Sequence, residues 1–133
     1  MCAVADAALK YLSEHKLVER SAKMGEYFLQ KLRALEELSY VGQARGVGLL
    51  LGLEFVADKT SMKPMENSVQ FSARVAKYCF ERGVIVISGI QGCADGIVGE
   101  AMQISPPFII TEEQIDKVVD VLKDGIITVG KQL

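Results

Sequence analysis

Between Leu49 and Val56 nearly every residue is apolar, whereas the chain on either side mixes polar and apolar positions. Glycines at 46 and 48 precede the run and Ala57-Asp58-Lys59 closes it, so it falls far short of the roughly 20 residues of a membrane span. Such a run predicts a strand buried on both faces or nearly so. Leu49, Leu51, Leu53 and Phe55 would point one way, and Leu50, Gly52, Glu54 and Val56 the other. Tyr40 to Arg45 reads as a second strand, with Gly46 to Gly48 as the tight reversal between the two.

The remaining pattern alternates helices and short strands around this pair. Met1, Val4, Ala5, Ala8 and Leu12 recur at three- and four-residue steps and predict a helix over 1–14, broken at His15-Lys16. It opens without a capping residue or lead-in, as a segment continued from upstream would. A second helix from Leu17 to about Leu38 places Leu17, Ser21, Met24/Gly25, Phe28, Leu32 and Leu35 on one face and its charges on the other. Asp58 to Glu66 is polar and reads as a loop. Asn67 or Ser68 then caps a helix to Arg82 that turns Val69, Ser72, Ala73, Ala76, Cys79 and Phe80 inward, with Gly83 just past its end. Val84 to Ile87 predicts a β-branched strand, and the glycine-rich stretch Ser88 to Glu100 a long mobile loop. Ala101 to Ile104 is the next strand, stopped by Ser105-Pro106-Pro107. Thr111 and Gln114 have the spacing of a capping box, and the helix they open buries Ile115, Val118, Val119, Leu122 and Ile126. The element order predicts an α/β fold of the α+β type: a largely antiparallel sheet under a layer of helices.

Composition adds one point. With the four tyrosines left out and the 12 glycines included, about 56% of the 133 positions are apolar, against the roughly 45–50% of ordinary domains counted the same way. A face hidden against something else would account for the surplus. Net charge is −2, which gives no reason to expect a nucleic-acid or anionic membrane partner. The three cysteines are odd in number and lack metal-ligand spacing, so reduced thiols in a cytoplasmic protein are expected.

Candidate chemistry is sparse. The single histidine, His15, sits between Glu14 and Lys16 at a polar helix end and reads as an exposed structural residue. Gly46-x-Gly48 with Gly52 lacks the helix that a nucleotide fingerprint requires after its glycines. The glycines of 89–99 are not followed by Lys-Ser/Thr, and Asp95 and Glu100 flank that loop without a partner acid at readable spacing. Residue chemistry alone identifies no catalytic centre, cofactor site or metal site.

The motifs taken together, however, resemble a known family. Arg45-Gly46-Val47-Gly48-Leu49-Leu50-Leu51-Gly52-Leu53-Glu54 is similar to the "R-G-x-G-L-x-x-G-L-E" strand of class III, pyridoxal-phosphate-dependent aminotransferases, the omega-aminotransferase group. Glu81 to Val86 resembles that family's glycine step into a strand, and Ile104 to Asp116 its "L-x-P-P-L-x-I-T-x-x-E-I-D". Met1 to Leu12 looks like its alanine-rich linking helix, and the order and spacing of all these motifs match across essentially the whole chain.

The resemblance implies that 1–16 is a linking helix and 17–133 the small C-terminal domain of an enzyme that moves amino groups between an amine and an oxo acid. A large domain upstream would hold the cofactor lysine, and the parent would be a homodimer. None of the present lysines matches the cofactor-lysine context, so the chain alone is expected to be inactive. Many members anchor the substrate carboxylate with an arginine of this domain. The corresponding positions are Gln103 and, at the end of the preceding strand, Ile87-Ser88, so Ser88 and Gln103 are the substrate-pocket candidates and neither is cationic. The loop containing Ala94-Asp95-Gly96 and Gly99-Glu100 resembles that of a subgroup of omega-aminotransferases. The rival expectation is a stand-alone binding or regulatory module of the same fold; the DNA upstream of Met1 separates the two.

Overall fold

In the computed structural model, which describes residues 2–133, the apolar run forms an inner strand of an antiparallel sheet. The strands are β1 (Val41–Val47), β2 (Leu50–Asp58), β3 (Lys63–Pro64), β4 (Ile87–Gln91) and β5 (Glu100–Ile104). The main sheet runs β1-β2-β5-β4, and β3, inside the expected loop, pairs with the end of β2. The helices are α1 (Cys2–Glu14), α2 (Leu17–Ala34), α3 (Phe71–Phe80) and α4 (Glu112–Gly130). A single 3-10 turn, Leu35–Glu37, carries α2 to about its predicted end. Met1, the first residue of the predicted apolar stripe, lies outside the described residues.

Only one face of the sheet is covered along its length, a correction to the two-faced burial expected from the run; on the other face Val56 alone of the run is buried. Ala44, Leu53 and Met102 form one cross-strand row beneath the helices, and Leu51 and Ile104 pair in the next. They join Phe28 and Leu32 of α2, Val75 of α3 and Ile115, Leu122 and Ile126 of α4 in a single core. On the opposite face Leu50 is 61% and Val47 88% exposed. The helices of this chain supply one layer; on the other side, among the described residues, Val56 is buried but Val47 and Leu50 are left open.

The reversal between β1 and β2 is also shorter than predicted. Val47 pairs with Leu50, leaving only Gly48 and Leu49 to turn, and the positive φ of 54° falls on Gly48. A positive φ at the first of two turn residues is the type II′ pattern, which suits the twist of the flanking strands. Leu49 therefore packs from the turn rather than from the strand.

The third helix starts later than its sequence signals suggest. Asn67–Val69 make one 3-10 turn, Gln70 is left-handed at φ 51°, and α3 opens at Phe71 without a local side-chain cap. Its cap comes from β5. One Glu100 oxygen accepts the Phe71 N–H at 2.9 Å, and the other accepts the Ser72 N–H and hydroxyl, each at 2.7 Å. A carboxylate there satisfies orphan amides and complements the positive helix end better than a neutral Asn67 could. The inward face shifts accordingly. Phe71 and Val75 are buried with Ser72 and Cys79, Val69 and Ala76 are partly buried, and Ala73 and Phe80 face solvent.

At the other end of α3, Gly83 follows the helix as predicted, and it is left-handed at φ 78°. Gly83 N–H bonds Phe80 O and Val84 N–H bonds Cys79 O, the paired bonds of a Schellman closure. That closure delays the next strand, because Val84 is still committed to the helix end and the core. Pairing begins at Ile87, opposite Gln103, so the strand expected at 84–87 lies at 87–91. The expected loop from Ser88 to Glu100 thereby loses both ends to strands. What remains, 92–99, is tied down by Gly92–Gly99 and Ala94–Val98 backbone bonds and by Asp95, whose side chain accepts the Ile97 and Val98 N–H groups.

The capping box of α4 forms as read: Gln114 N–H donates to the Thr111 hydroxyl and Thr111 N–H to the Gln114 side chain. The chain entering α4 is held by Arg20 of α2, whose guanidinium donates to the Phe108 carbonyl at 2.9 Å and the Ile110 carbonyl at 2.7 Å. Asp116 of α4 accepts from Tyr27 at 2.9 Å and pairs with Lys31 at 3.0 Å, linking α4 to α2. By contrast, no residue of α1 is buried, and Val4 and Leu9 are exposed.

Helix α2 meets the β1–β2 reversal at Gly25, where an added Cβ would lie 2.1 Å from the Gly48 carbonyl oxygen. Alanine in a helix interior normally gains about 1 kcal/mol over glycine. Here the obstacle is backbone, so overpacking at a cost of about 1–3 kcal/mol outweighs that gain. Gly25→Ala is therefore expected to lower the denaturant midpoint of the chain; a raised midpoint would contradict the packing.

Candidate functional site

The uncovered face of the sheet is built from alternate residues of its four main strands. One cross-strand row reads Arg45, Gly52, Gln103, Ile87, and the next Gln43, Glu54, Ala101, Ile90. Gly52 has no side chain to fill the middle of the first row. A shallow groove results, lined by Arg45, Leu50, Gly52, Ile90, Cys93 and Gln103.

The polar groups of this groove are already engaged with one another. Arg45 Nη1 lies 3.0 Å from a Glu54 carboxylate oxygen and donates to Gln43 Oε1 at 2.9 Å. Gln103 is half-buried, and its amide donates to the Ser105 hydroxyl at 2.8 Å. Burial pushes the Cys93 thiol above its ordinary value, and the Glu54 carboxylate adds to the shift.

Of the two sequence-predicted pocket residues, only Gln103 lines this groove. The ladder sets Ile87, not Ser88, opposite Gln103, and a register shift follows between Ile87 and Ile90. His15 lies exposed at the end of α1, edge-on to Tyr11 with ring centroids 4.0 Å apart. Among the described residues no three His, Cys, Asp or Glu side chains converge on a metal position. Sequence reasoning missed the role of Glu100, which caps α3 from the buried face of β5. No local spacing could have disclosed it, since the capped amides lie 28 and 29 positions away.

The architecture and the order of these elements are matched elsewhere. The family model for class III aminotransferases matches residues 1–126. The chain belongs to the class III aminotransferases. It is 38% identical to an uncharacterized aminotransferase of Schizosaccharomyces pombe, over 94% of this chain and 27% of that one. It is also 38% identical to an acetylornithine aminotransferase of Methanosarcina acetivorans, over 93% of this chain and 26% of that protein. Among solved structures, a transaminase from the marine bacterium Virgibacillus superposes with a TM-score of 0.87 at 33% identity, covering 98% of this chain and 28% of the other. An aminotransferase from Vibrio fluvialis in its PMP-bound form superposes with a TM-score of 0.84 at 29% identity, covering 98% and 27%. This class III chain thus spans a little over a quarter of the length of the relatives it matches.

Pyridoxal phosphate is bonded through its aldehyde to a lysine amine in enzymes that use it. Among the described residues no lysine lines the groove around Gln103, and the guanidinium there already faces Glu54. These residues do not fit the cofactor by themselves.

The thiols give a check on this geometry. Cys2 is exposed, Cys93 half-buried beside Glu54, and Cys79 buried with its thiol pushed up to about 11. Since the thiolate is the reactive form, alkylation near pH 8 followed by mass spectrometry should label Cys2 first, Cys93 slowly and Cys79 only on unfolding. Glu54→Gln should quicken Cys93 by removing a nearby negative charge. Equal rates in both backgrounds would show that Glu54 does not face the thiol.

Proposed function

We propose that this chain is the C-terminal part of a pyridoxal-phosphate-dependent aminotransferase, comprising a linking helix (1–16) and the small domain (17–133). In the whole enzyme, a homodimer of the cytoplasm, an amino group passes between an amine and an oxo acid. The observation that carries this reading is the class III match over 1–126 combined with coverage of only about 27% of a relative's length. The lack of buried residues in α1 and the uncovered sheet face, with Leu50 and Val47 exposed, support a larger domain packing against both. That domain would hold the lysine and most contacts to the cofactor, which serves as an electron sink during the transfer.

The chain alone is then expected neither to retain cofactor nor to transfer amino groups. After mixing with pyridoxal phosphate and dialysis, the purified chain should show no visible-range absorbance. A stoichiometric, borohydride-reducible adduct at one specific lysine would contradict this.

Substrate choice follows from the groove. Leaving one member of a buried charge pair without its partner typically costs about 3–5 kcal/mol. Gln103 and its neighbour Ile87 carry no charge, Ser88 is neutral as well, and Arg45 is neutralised by Glu54. This wall therefore offers no free cation to a substrate carboxylate, and amines without a carboxylate beside the reacting carbon are tolerated as donors. Gln103→Arg in the full-length enzyme should raise kcat/KM for carboxylate-bearing donors relative to simple amines. An unchanged ratio would mean that position 103 does not face the substrate.

A further inference from the structure

We infer that Ser72 and Glu100 are positioning residues for the strand edge that carries Ile87 and Ser88, a reading that rests on the substrate-facing placement of Gln103 and β4 proposed above. The Ser72 hydroxyl donates to Glu100 Oε2 at 2.7 Å and accepts the Gly89 N–H at 3.3 Å. The same carboxylate holds the first amides of α3, so three elements meet at one point: α3, β4 and β5. Ser72 is fully buried and Glu100 is 1% exposed.

The location of the Gly89 contact gives it a task. β4 is an edge strand whose neighbour in the sheet is β5, and its register slips between Ile87 and Ile90. Gly89 lies inside that slip, left-handed at φ 77°. Irregularities of this kind take residues off the ladder and re-aim the neighbouring side chains. At this point the hydroxyl of Ser72 substitutes for a strand partner and fixes where β4 runs. Ile87, opposite Gln103, stands two residues before this tether, and Ser88 immediately before it.

Removing the hydroxyl separates the tether from the helix cap, because both α3 amides still reach Glu100 in Ser72→Ala. The comparison is made in the full-length holoenzyme, with Thr111→Ala as the control. That substitution likewise deletes one hydroxyl's hydrogen bond at a helix start, here on α4 and away from the groove. Ser72→Ala is expected to lower kcat/KM for the amine about tenfold, chiefly through KM, since misplacements of about 1 Å can cost 100-fold. The ratio between carboxylate-bearing and simple donors should shift as well, with the absorbance of the bound cofactor unchanged. Thr111→Ala should shift the denaturant midpoint comparably and leave that ratio alone. Ser72→Cys, with a poor acceptor in nearly the same space, replaces the alanine variant if the latter does not fold. If Ser72 variants match Thr111→Ala in the donor ratio while Gln103→Arg changes it, the positioning role is overturned and the substrate-facing wall stands. If Gln103→Arg also leaves the ratio unchanged, the wall itself is misassigned and the positioning role falls with it.

Discussion

Helix α2 and the β1–β2 reversal touch backbone to backbone, and this approach sets the spacing between the two layers. Any side chain at Gly25 would run into the Gly48 carbonyl. The Ser21 hydroxyl, one turn earlier, accepts the Leu49 N–H at 3.3 Å. With the helix held that close, Phe28 and Leu32 reach the buried rows of the sheet and become fully enclosed. A larger residue at either glycine would lift α2 and open the core along the rest of the helix, because interiors are close-packed and do not absorb such a gap.

Glu100 sets the position of the second half of the domain. A buried carboxylate is costly unless it is well bonded, and this one receives two backbone N–H groups and a hydroxyl. It lies on the covered face of β5 opposite Phe55, where the surrounding core would otherwise favour an apolar residue. The charge is tolerated because α3 begins there, without a cap of its own. Strand and helix thus complete each other, and the β4–β5 hairpin is placed relative to the helical layer by hydrogen bonds as well as by packing.

The uncovered face has the opposite character. Val47, Leu50, Ile87 and Ile90 are apolar and exposed to differing degrees, while Arg45, Glu54 and Gln43 satisfy one another among them. Such a face accounts for part of the chain's hydrophobic half that the core does not absorb. A class III chain spanning about 27% of a relative's length is expected to show such a face.

The signals legible in the sequence were those that act within a few residues. The capping box of Thr111 and Gln114, the place of Gly83 just past α3, the alternation of Leu51, Leu53 and Phe55, and the break at Lys16 all form as read. Each depends on backbone geometry over one turn or one pleat, and so is encoded locally. The family motifs were legible for the same reason, as short runs in fixed order. Tertiary structure decided what depends on distant partners. It moved β4 from 84–87 to 87–91, because Val84 is retained by the closure of α3 and the pairing positions belong to β5. It moved the start of α3 to Phe71, because the carboxylate that caps it arrives from Glu100. It left Leu50 in solvent although the run around it reads as buried on both sides. A hydrophobic run records how much surface is to be covered, but which layer covers it is settled only when the elements pack.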